Sequence, residues 1–256
     1  LELNHQLNLL KKLRQQILQE AIEGKLTADW RAANPDIEPA SELLKRIAAE
    51  KAQHIKDKNK LKNPLISINE EEKTFELPNG WMWCRLGHLF EVVRGSSPRP
   101  KGDPRYWDKN KTQYHWITIA DFTPFGVNGV LLGTKGFLTQ EGKNHSRQVK
   151  KGDLLIACSG VGSVGRSIQS GIDGYIYDGL LAIRNINDDV IRIYLKNFLK
   201  FKESQIYSIA TGANWLNINI ELLSNYVIPL PPLLEQKAIV AKVEKLFALC
   251  DQLEAQ

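Results

Sequence analysis

Two stretches of the chain place apolar residues at alternating intervals of four and three. This spacing puts the apolar side chains on one face of a helix, the a/d seam through which two helices pair. Near the start, the repeat runs through Leu3, Leu7, Leu10, Arg14, Ile17, Ala21 and Gly24. Near the other end, it runs through Ile239, Val243, Leu246, Cys250 and Leu253. The pattern predicts two long helices whose helix-pairing residues are Leu3, Leu7, Leu10, Ile17, Ile239, Val243, Leu246 and Leu253.

The first helix is predicted to end near Gly24, because glycine is favoured just after a helix. About 22 residues at ~1.5 Å each give a rod of about 33 Å. Pro35 and Pro39 then interrupt the chain, and Ser41 caps a second helix that runs to about Lys58. The two seam helices have similar lengths, so they can pair antiparallel if the chain between them folds back.

From Leu77 onward the pattern changes from helical to strand-like. Short runs of β-branched and aromatic residues alternate with Gly, Asn and Asp turns, which is typical of strands. The predicted strands are 114–119, 153–157, 175–177, 181–186 and 226–230, and a helix is predicted over 188–205. Pro229, Pro231 and Pro232 close the last strand, and the final helix begins directly behind them. Prolines fix φ and favour extended predecessors, so this segment is predicted to be a stiff joint.

The order of elements predicts an α+β fold, with a mixed α/β globule flanked by long coiled-coil-forming helices. We assign residues 1–62 to a helical region, 63–77 to a linker, 78–231 to the globule and 232–256 to the last helix. No apolar run approaches the ~20 residues that span a bilayer, which argues against a membrane protein. The three cysteines are far apart in the sequence, which argues against a disulfide framework and a zinc site and indicates the cytoplasm.

Charge is unevenly distributed along the chain. The whole chain has a formal net charge of +5, whereas residues 94–151 contain 11 Lys and Arg against 4 Asp and Glu, a local excess of +7. A local excess of this kind is typical of a surface that binds a polyanion, although an ordinary solvated basic face gives the same count.

Three loops combine cations, hydroxyls or amides with glycine or proline: 93–102, 142–151 and 211–217. Arginine can bind guanine or phosphate bidentately, and serine can contact base edges or phosphate. Ordinary basic surface loops remain the alternative for each. The candidate DNA-binding residues are Arg94, Ser96, Ser97, Arg99, Lys101, Arg105, Lys143, Arg147, Lys150, Lys151 and Asn214.

Catalytic and cofactor motifs are largely missing. Residues 160–165 match G-x-G-x-x-G, but the turn-rich segment behind them predicts no helix to hold a pyrophosphate. Asp36 with Glu71, Glu72 and Lys73 superficially matches a nuclease metal motif, yet these residues fall in a loop and a linker. The sequence contains no Walker A phosphate loop, no adenine-methyltransferase motif and no nucleophile elbow. We therefore predict no catalytic residue, no metal site and no cofactor.

Several segments resemble the specificity subunits of type I restriction–modification systems. The joint at 228–236 (I-P-L-P-P-L-L-E-Q) carries the resemblance most specifically. Segments 77–81 (L-P-N-G-W), 152–156 (G-D-L-L-I) with 160–165, and 216–218 (L-N-I) are similar to the family's recognition domain. Segments 10–18 and 23–27 resemble its spacer region.

The resemblance implies that 78–231 is a target-recognition domain for double-stranded DNA and that 1–62 and 232–256 are spacer regions. It implies a subunit without catalysis of its own, which docks methyltransferase subunits and, through them, restriction subunits. Family members carry two recognition domains, so this chain resembles a second half, either a fragment or a half-length form. A half-length form is expected to pair with itself through the spacer helices and to read a gapped palindrome.

Two other interpretations stay open from the sequence. One is a helical assembly or regulatory protein whose globule binds protein rather than DNA. The other is a nucleotide-dependent enzyme built around residues 160–165.

Overall fold

The computed structural model describes residues 2–54, 66–212 and 217–254. These fold into two compact units, and the predicted α+β class is confirmed. Unit 1 comprises Leu1–Leu89, Asp188–Phe201 and Tyr226–Gln256, and unit 2 comprises Phe90–Asn187 and Lys202–Asn225. The structural division therefore groups parts of the segment 78–231 with the helices, whereas the segments assigned from the sequence followed chain order.

The helices are α1 (Glu2–Ile22), α2 (Ala28–Ala32), α3 (Ala40–His54), α4 (Leu86–Leu89), α5 (Asp189–Gly212), α6 (Ile220–Ser224) and α7 (Leu233–Glu254). The first helix ends as predicted, because Gly24 adopts a left-handed φ of +71°. The helix predicted over 188–205 is longer in the structure and ends at Gly212. Within the predicted linker, residues Glu70–Glu72 form a single 3₁₀ turn.

The strands are β1 (Met82–Arg85), β2 (Glu91–Arg94), β3 (Trp107–Asp108), β4 (His115–Ile117), β5 (Gly126–Val127), β6 (Val130–Leu131), β7 (Gly136–Leu138), β8 (Arg147–Val149), β9 (Leu154–Ala157), β10 (Ser167–Ser170), β11 (Gly174–Ile176), β12 (Leu180–Arg184) and β13 (Val227–Leu230). Each of the five predicted strands overlaps one of them. Most of the strands that the sequence did not reveal have only two or three residues. The others, β1, β2 and β10, have four, and polar or charged side chains interrupt their apolar runs.

Helices α1 and α7 pair antiparallel within the chain, as their seams predicted. Arg14 of α1 donates to Asp251 at 2.6 Å and to Glu254 at 2.8 Å, near the end of α7. Farther along, Lys242 of α7 donates to the carbonyl of Leu26, just beyond the end of α1. The two sets of contacts run in opposite chain directions, which fixes the antiparallel orientation.

Most of the predicted helix-pairing residues are at least partly covered. Ile17, Ile239 and Val243 are buried, and Leu7, Leu10 and Leu246 are half-buried, whereas the side chain of Leu3 lies outside the described part. Leu253 differs from the prediction, since it is 55% exposed. Leu253 shares its helix face with half-buried Leu246, but it lies in the last turn of α7, at the end of the helix pair.

The predicted proline joint forms the boundary between β13 and α7. Strand β13 pairs antiparallel with β1 in a two-stranded sheet, where Pro229 is tolerated because one strand edge stays unpaired. The hydroxyl of Tyr194 donates to the carbonyl of Pro229 at 2.9 Å. Helix α7 begins at Leu233, and the backbone N–H of Gln236 donates to the carbonyl of Pro232.

Unit 2 is built from two sheets. Their strand orders are β2-β12-β9-β10-β6-β5 and β3-β7-β4-β11-β8. Leu155 and Ala182 of the first sheet pack in one cluster with Ile117 and Ile176 of the second. The chain passes from the second sheet to the first at 177–179, between β11 and β12, so the ends of strands from both sheets meet there.

A buried carboxylate ties three distant segments of unit 1 together. Glu235, in the first turn of α7, is fully buried. It accepts hydrogen bonds from the hydroxyl of Thr27 at 2.8 Å, the guanidinium of Arg31 at 2.5 Å and the indole N–H of Trp81 at 2.7 Å. Thr27 and Arg31 lie in the segment around α2, and Trp81 lies just before β1, so Glu235 fixes where these two segments pack on the first turn of α7.

We expect Glu235→Ala to lower the free energy of unfolding by about 3 kcal/mol or more, because the buried donors of Arg31 and Trp81 lose their acceptor. Urea unfolding followed by circular dichroism measures the loss. The matched control is Glu254→Ala, which removes one of the two carboxylates that pair with Arg14 at a partly exposed site and should cost well under 1 kcal/mol. Equal losses in the two variants would contradict the role given to Glu235.

Candidate nucleic-acid interface

Four loops of unit 2 meet where strands of the two sheets begin or end. The register pairs Leu181 with Arg94, Leu180 with Ala157, and Ile176 with Arg147. The ends of β2, β9 and β11 therefore lie beside the starts of β8 and β12. We call the residues around this place, 94–99, 142–147, 158–165 and 177–179, the strand-end surface.

Two of the predicted loops interlock on the strand-end surface. Ser96 donates from its hydroxyl to the carbonyl of His145 at 2.7 Å, and Ser146 donates back to the carbonyl of Ser96 at 2.8 Å. The guanidinium of Arg147 lies within hydrogen-bond reach of the carbonyl of Arg94, at 3.4 Å. Residues that are about 50 positions apart in the chain thus form one surface, as a shared site requires.

Asp178 organises the loop that carries Arg94, Ser97 and Arg99. Its carboxylate accepts from the hydroxyl of Ser97 at 2.7 Å and from the guanidinium of Arg99 at 3.0 Å. Its backbone carbonyl accepts from Nε of Arg94 at 2.8 Å. The sequence did not single out Asp178, because its partners lie 79 to 84 positions away and no local motif marks it.

Gly95 explains how the first loop can lie so close to the chain between β11 and β12. A Cβ at this position would lie 2.0 Å from the carbonyl oxygen of Tyr177 and 2.6 Å from that of Ile176. The backbone N–H of Ser96 donates to the carbonyl of Ile176 at 3.1 Å. Only glycine leaves room for this approach.

The other cations near this surface have varied surroundings. Arg105 pairs with Asp103 and lies over the ring of Tyr106, 5.2 Å from its centroid. The hydrogen bond from Arg105 holds the pKa of Asp103 below its usual value. The ammonium of Lys143 lies 4.7 Å from the centroid of Tyr114, and Lys101 is exposed in the first loop.

Lys150 and Lys151 are separated from this group. They follow the end of β8, whereas Arg147 begins it, so the three-residue strand lies between them. Both contact Asp173: the ammonium of Lys150 at 2.9 Å and the backbone N–H of Lys151 at 2.9 Å. The hydrogen bond from the backbone N–H of Lys151 lowers the pKa of Asp173, and the hydrogen bond from the side chain of Lys150 lowers it to a smaller extent. Asn214 lies outside the described residues.

The glycine-rich segment connects two strands rather than a strand and a helix. Gly160, Gly162 and Gly165 adopt left-handed φ values of +100°, +72° and +86°. Strand β10 follows, so this segment does not open the helix to which a dinucleotide's pyrophosphate would bind. The nucleotide-dependent interpretation therefore lacks its defining geometry. The segment instead adds a turn to the strand-end surface, with Val161 78% exposed.

The residues of this surface offer hydrogen-bond donors on a mostly cationic background. Arg99 and Arg147 are exposed, Ser96 presents a hydroxyl, and Asp178 is the acidic exception. Such a set suits a nucleic acid, whose phosphates attract the cations and whose base edges accept hydrogen bonds. Among the described residues, no group of three His, Cys, Asp or Glu could hold a metal ion. None of the described helices has the length and apolar character needed to cross a bilayer.

Known proteins similar to this chain also point to nucleic-acid binding. A family model described as the type I restriction modification DNA specificity domain matches residues 78–256. The specificity subunits of the Escherichia coli type I restriction enzymes EcoAI and EcoEI are 36% and 33% identical to the chain over 96% of its length. The chain spans 41% of the length of each of these relatives.

Two solved structures share the fold. The HsdS subunit from Thermoanaerobacter tengcongensis superposes with a TM-score of 0.55 at 21% identity, covering 100% of this chain and 54% of that one. The type I S subunit from M. genitalium gives a TM-score of 0.54 at 14% identity, covering 98% of this chain and 50% of the other.

We expect Gly95→Ala to push the first loop away from Tyr177, because its Cβ would overlap a backbone oxygen. Overpacking of this kind costs about 1–3 kcal/mol. Amide hydrogen exchange should then speed up at Ser96 by about tenfold or more. The control is Gly133→Ala, which does not have a left-handed φ and whose Cβ would meet a side chain, the ring of Phe125 at 3.2 Å, rather than a backbone oxygen; it should leave the protection of Ser96 unchanged. Unchanged protection of Ser96 in Gly95→Ala would show that the loop does not depend on this approach.

Proposed function

Because the chain belongs to the type I restriction–modification DNA specificity family, we propose that it reads one half of a bipartite DNA target and docks methyltransferase and restriction subunits. The observation that carries the proposal is the strand-end surface, where separate loops bring arginine and serine side chains together. In this proposal the chain itself does no chemistry, and the partner subunits carry out methyl transfer and cleavage.

In this proposal, different side chains bind the DNA backbone and read the bases. The exposed cations Lys101 and Arg147, and the half-buried Lys143 beside the ring of Tyr114, can neutralise phosphates, which positions the protein without reading sequence. Side chains that Asp178 orients through hydrogen bonds, such as Ser97 and Arg99, are better suited to base edges. Pre-ordering these side chains reduces the entropy lost when DNA binds.

The helices supply a spacer of suitable length. Helices α1 and α7 contain 21 and 22 residues, which gives rods of about 31–33 Å. One turn of DNA is about 34–36 Å, so a spacer of this length matches half-sites about one turn apart.

The surface of the helix pair supports self-association as part of this proposal. Four leucines on α1 and α7 remain 44–55% exposed after the two helices have paired: Leu9, Leu13, Leu249 and Leu253. A second copy pairing through these leucines would make a symmetric dimer, whose target is a gapped palindrome. We place the protein in the cytoplasm, where the free thiols of Cys84, Cys158 and Cys250 would stay reduced.

Selection from a random duplex pool, with the chain and its methyltransferase subunit at ~0.15 M salt, tests this function. We expect a short sequence to be enriched, as a gapped palindrome if the chain acts as a dimer and as a single half-site if it acts alone. The triple variant Lys101→Glu, Lys143→Glu, Arg147→Glu should weaken binding to all sequences and reduce the salt slope by about three.

The matched control reverses three exposed cations of unit 1, Lys25, Lys45 and Arg46, to Glu and should leave the salt slope unchanged. Binding without any enriched sequence, or equal effects of the two sets of reversals, would contradict the proposal. Retention of partner-protein binding with no selective DNA binding would favour the assembly-protein alternative.

A further inference from the structure

Arg99 and Asp178 form an ion pair that faces solvent on the strand-end surface. The guanidinium donates through Nη2 to Oδ2 of Asp178 at 3.0 Å, and the two side chains are 69% and 47% exposed. Exposed pairs of this kind contribute little to stability. Its position beside the loops of a DNA-reading surface therefore calls for a role other than holding the fold.

Asp178 is itself held in place from several directions. Ser97 donates from its hydroxyl to Oδ1, and the backbone N–H of Asp178 lies 3.3 Å from the same hydroxyl. Arg94 bonds the backbone carbonyl of Asp178, and so, more loosely, does the thiol of Cys158 at 3.7 Å. A carboxylate fixed in this way restricts where the guanidinium of Arg99 can point.

The pair is poorly suited to a phosphate. An arginine that binds phosphate contributes by neutralising charge and releasing counterions. Arg99 and Asp178 together carry no net charge, and the carboxylate of Asp178 would repel a phosphate brought to the guanidinium. A base edge carries no net charge and does not suffer this repulsion.

The pair does match one base pair in the major groove. A G·C pair presents two acceptors, N7 and O6 of guanine, next to one donor, the amino group on N4 of cytosine. Arg99 presents donors, and Asp178 presents an acceptor beside them. An A·T pair alternates acceptor, donor and acceptor, so it does not offer arginine the two adjacent acceptors.

The geometry points to Arg99 as the reader of a guanine in the major groove, with Asp178 as the positioning residue that aims its guanidinium. This inference rests on the proposed function, because it assumes that the strand-end surface binds duplex DNA. It goes further by naming the base pair, the side chain that reads it and the acid that holds that side chain.

The test repeats the duplex selection with the chain and its methyltransferase subunit, using the wild-type chain, Arg99→Lys and Asp178→Asn. The wild type should enrich a G·C pair at one position that both variants relax. Arg99→Lys loses the bidentate fork, so preference for guanine there should fall about 10- to 100-fold while other positions keep theirs. Replacing that guanine by 7-deazaguanine, which lacks the N7 acceptor, should weaken the wild type and have little effect on Arg99→Lys.

Asp178→Asn gives a result that a merely structural role would not produce. It removes a negative charge from the surface, so binding to unrelated sequences should strengthen and become more salt-dependent, while preference for the guanine falls. Ser97→Ala, which frees one side of Asp178, should relax the same position to a smaller degree. Thermal unfolding of each variant checks that it is folded.

Lys101→Gln is the matched control, since Lys101 lies two residues further along the same loop and should weaken all sequences alike. If Arg99→Lys weakens binding to all sequences equally, Arg99 contacts a phosphate and the inference is wrong. The inference is also wrong if Arg99→Lys and Asp178→Asn keep the base preference of the wild type. Either outcome leaves the proposed function intact, provided that the wild type still enriches a sequence. A wild type that enriches nothing would overturn both.

Discussion

The packing of unit 1 depends on one buried carboxylate. Glu235 accepts hydrogen bonds from Thr27, Arg31 and Trp81 in an environment without solvent. A buried charge is tolerated only when its hydrogen-bonding capacity is filled, so the three donors must reach it together. That requirement places the segment after α1 and the segment before β1 against the first turn of α7. The antiparallel pairing of α1 with α7 extends from this point through apolar contacts and through the bonds of Arg14.

In the strand-end surface of unit 2, hydrogen bonds between distant residues likewise hold separate segments together. Apart from a 3₁₀ turn at Gly142–His145, its loops lack regular secondary structure, so side chains and backbone groups from other loops satisfy many of their polar atoms. Ser96 and Ser146 each donate a hydrogen bond to a carbonyl of the other's loop. The carboxylate of Asp178 accepts hydrogen bonds from Ser97 and Arg99. Such bracing gives the loops defined conformations, which a surface needs if it is to distinguish one base from another. Loops held in this way can also change sequence while the sheets beneath them stay the same.

Charge on this surface is more structured than the excess of basic residues between 94 and 151 suggested. Arg99 and Arg105 each face a carboxylate, and Lys150 pairs with Asp173 at the other end of β8. The unneutralised cations are therefore fewer than the sequence count. Arginine beside a carboxylate is oriented as well as attracted, which favours reading of hydrogen-bond patterns over simple attraction to phosphate.

Local patterns in the sequence determined the long helices, their seams, the proline joint and the main strands. Each of these arises from spacing or backbone restriction within a few residues, as at Gly24 and in the strand that ends at Ala157. The sequence also identified loops 93–102 and 142–151 as candidate binding segments. Only the tertiary structure showed that Arg147 joins the first loop while Lys150 does not, and that Asp178 holds Arg99. These relations depend on contacts between residues that are dozens of positions apart, and sheet register rather than local spacing decides which of them meet.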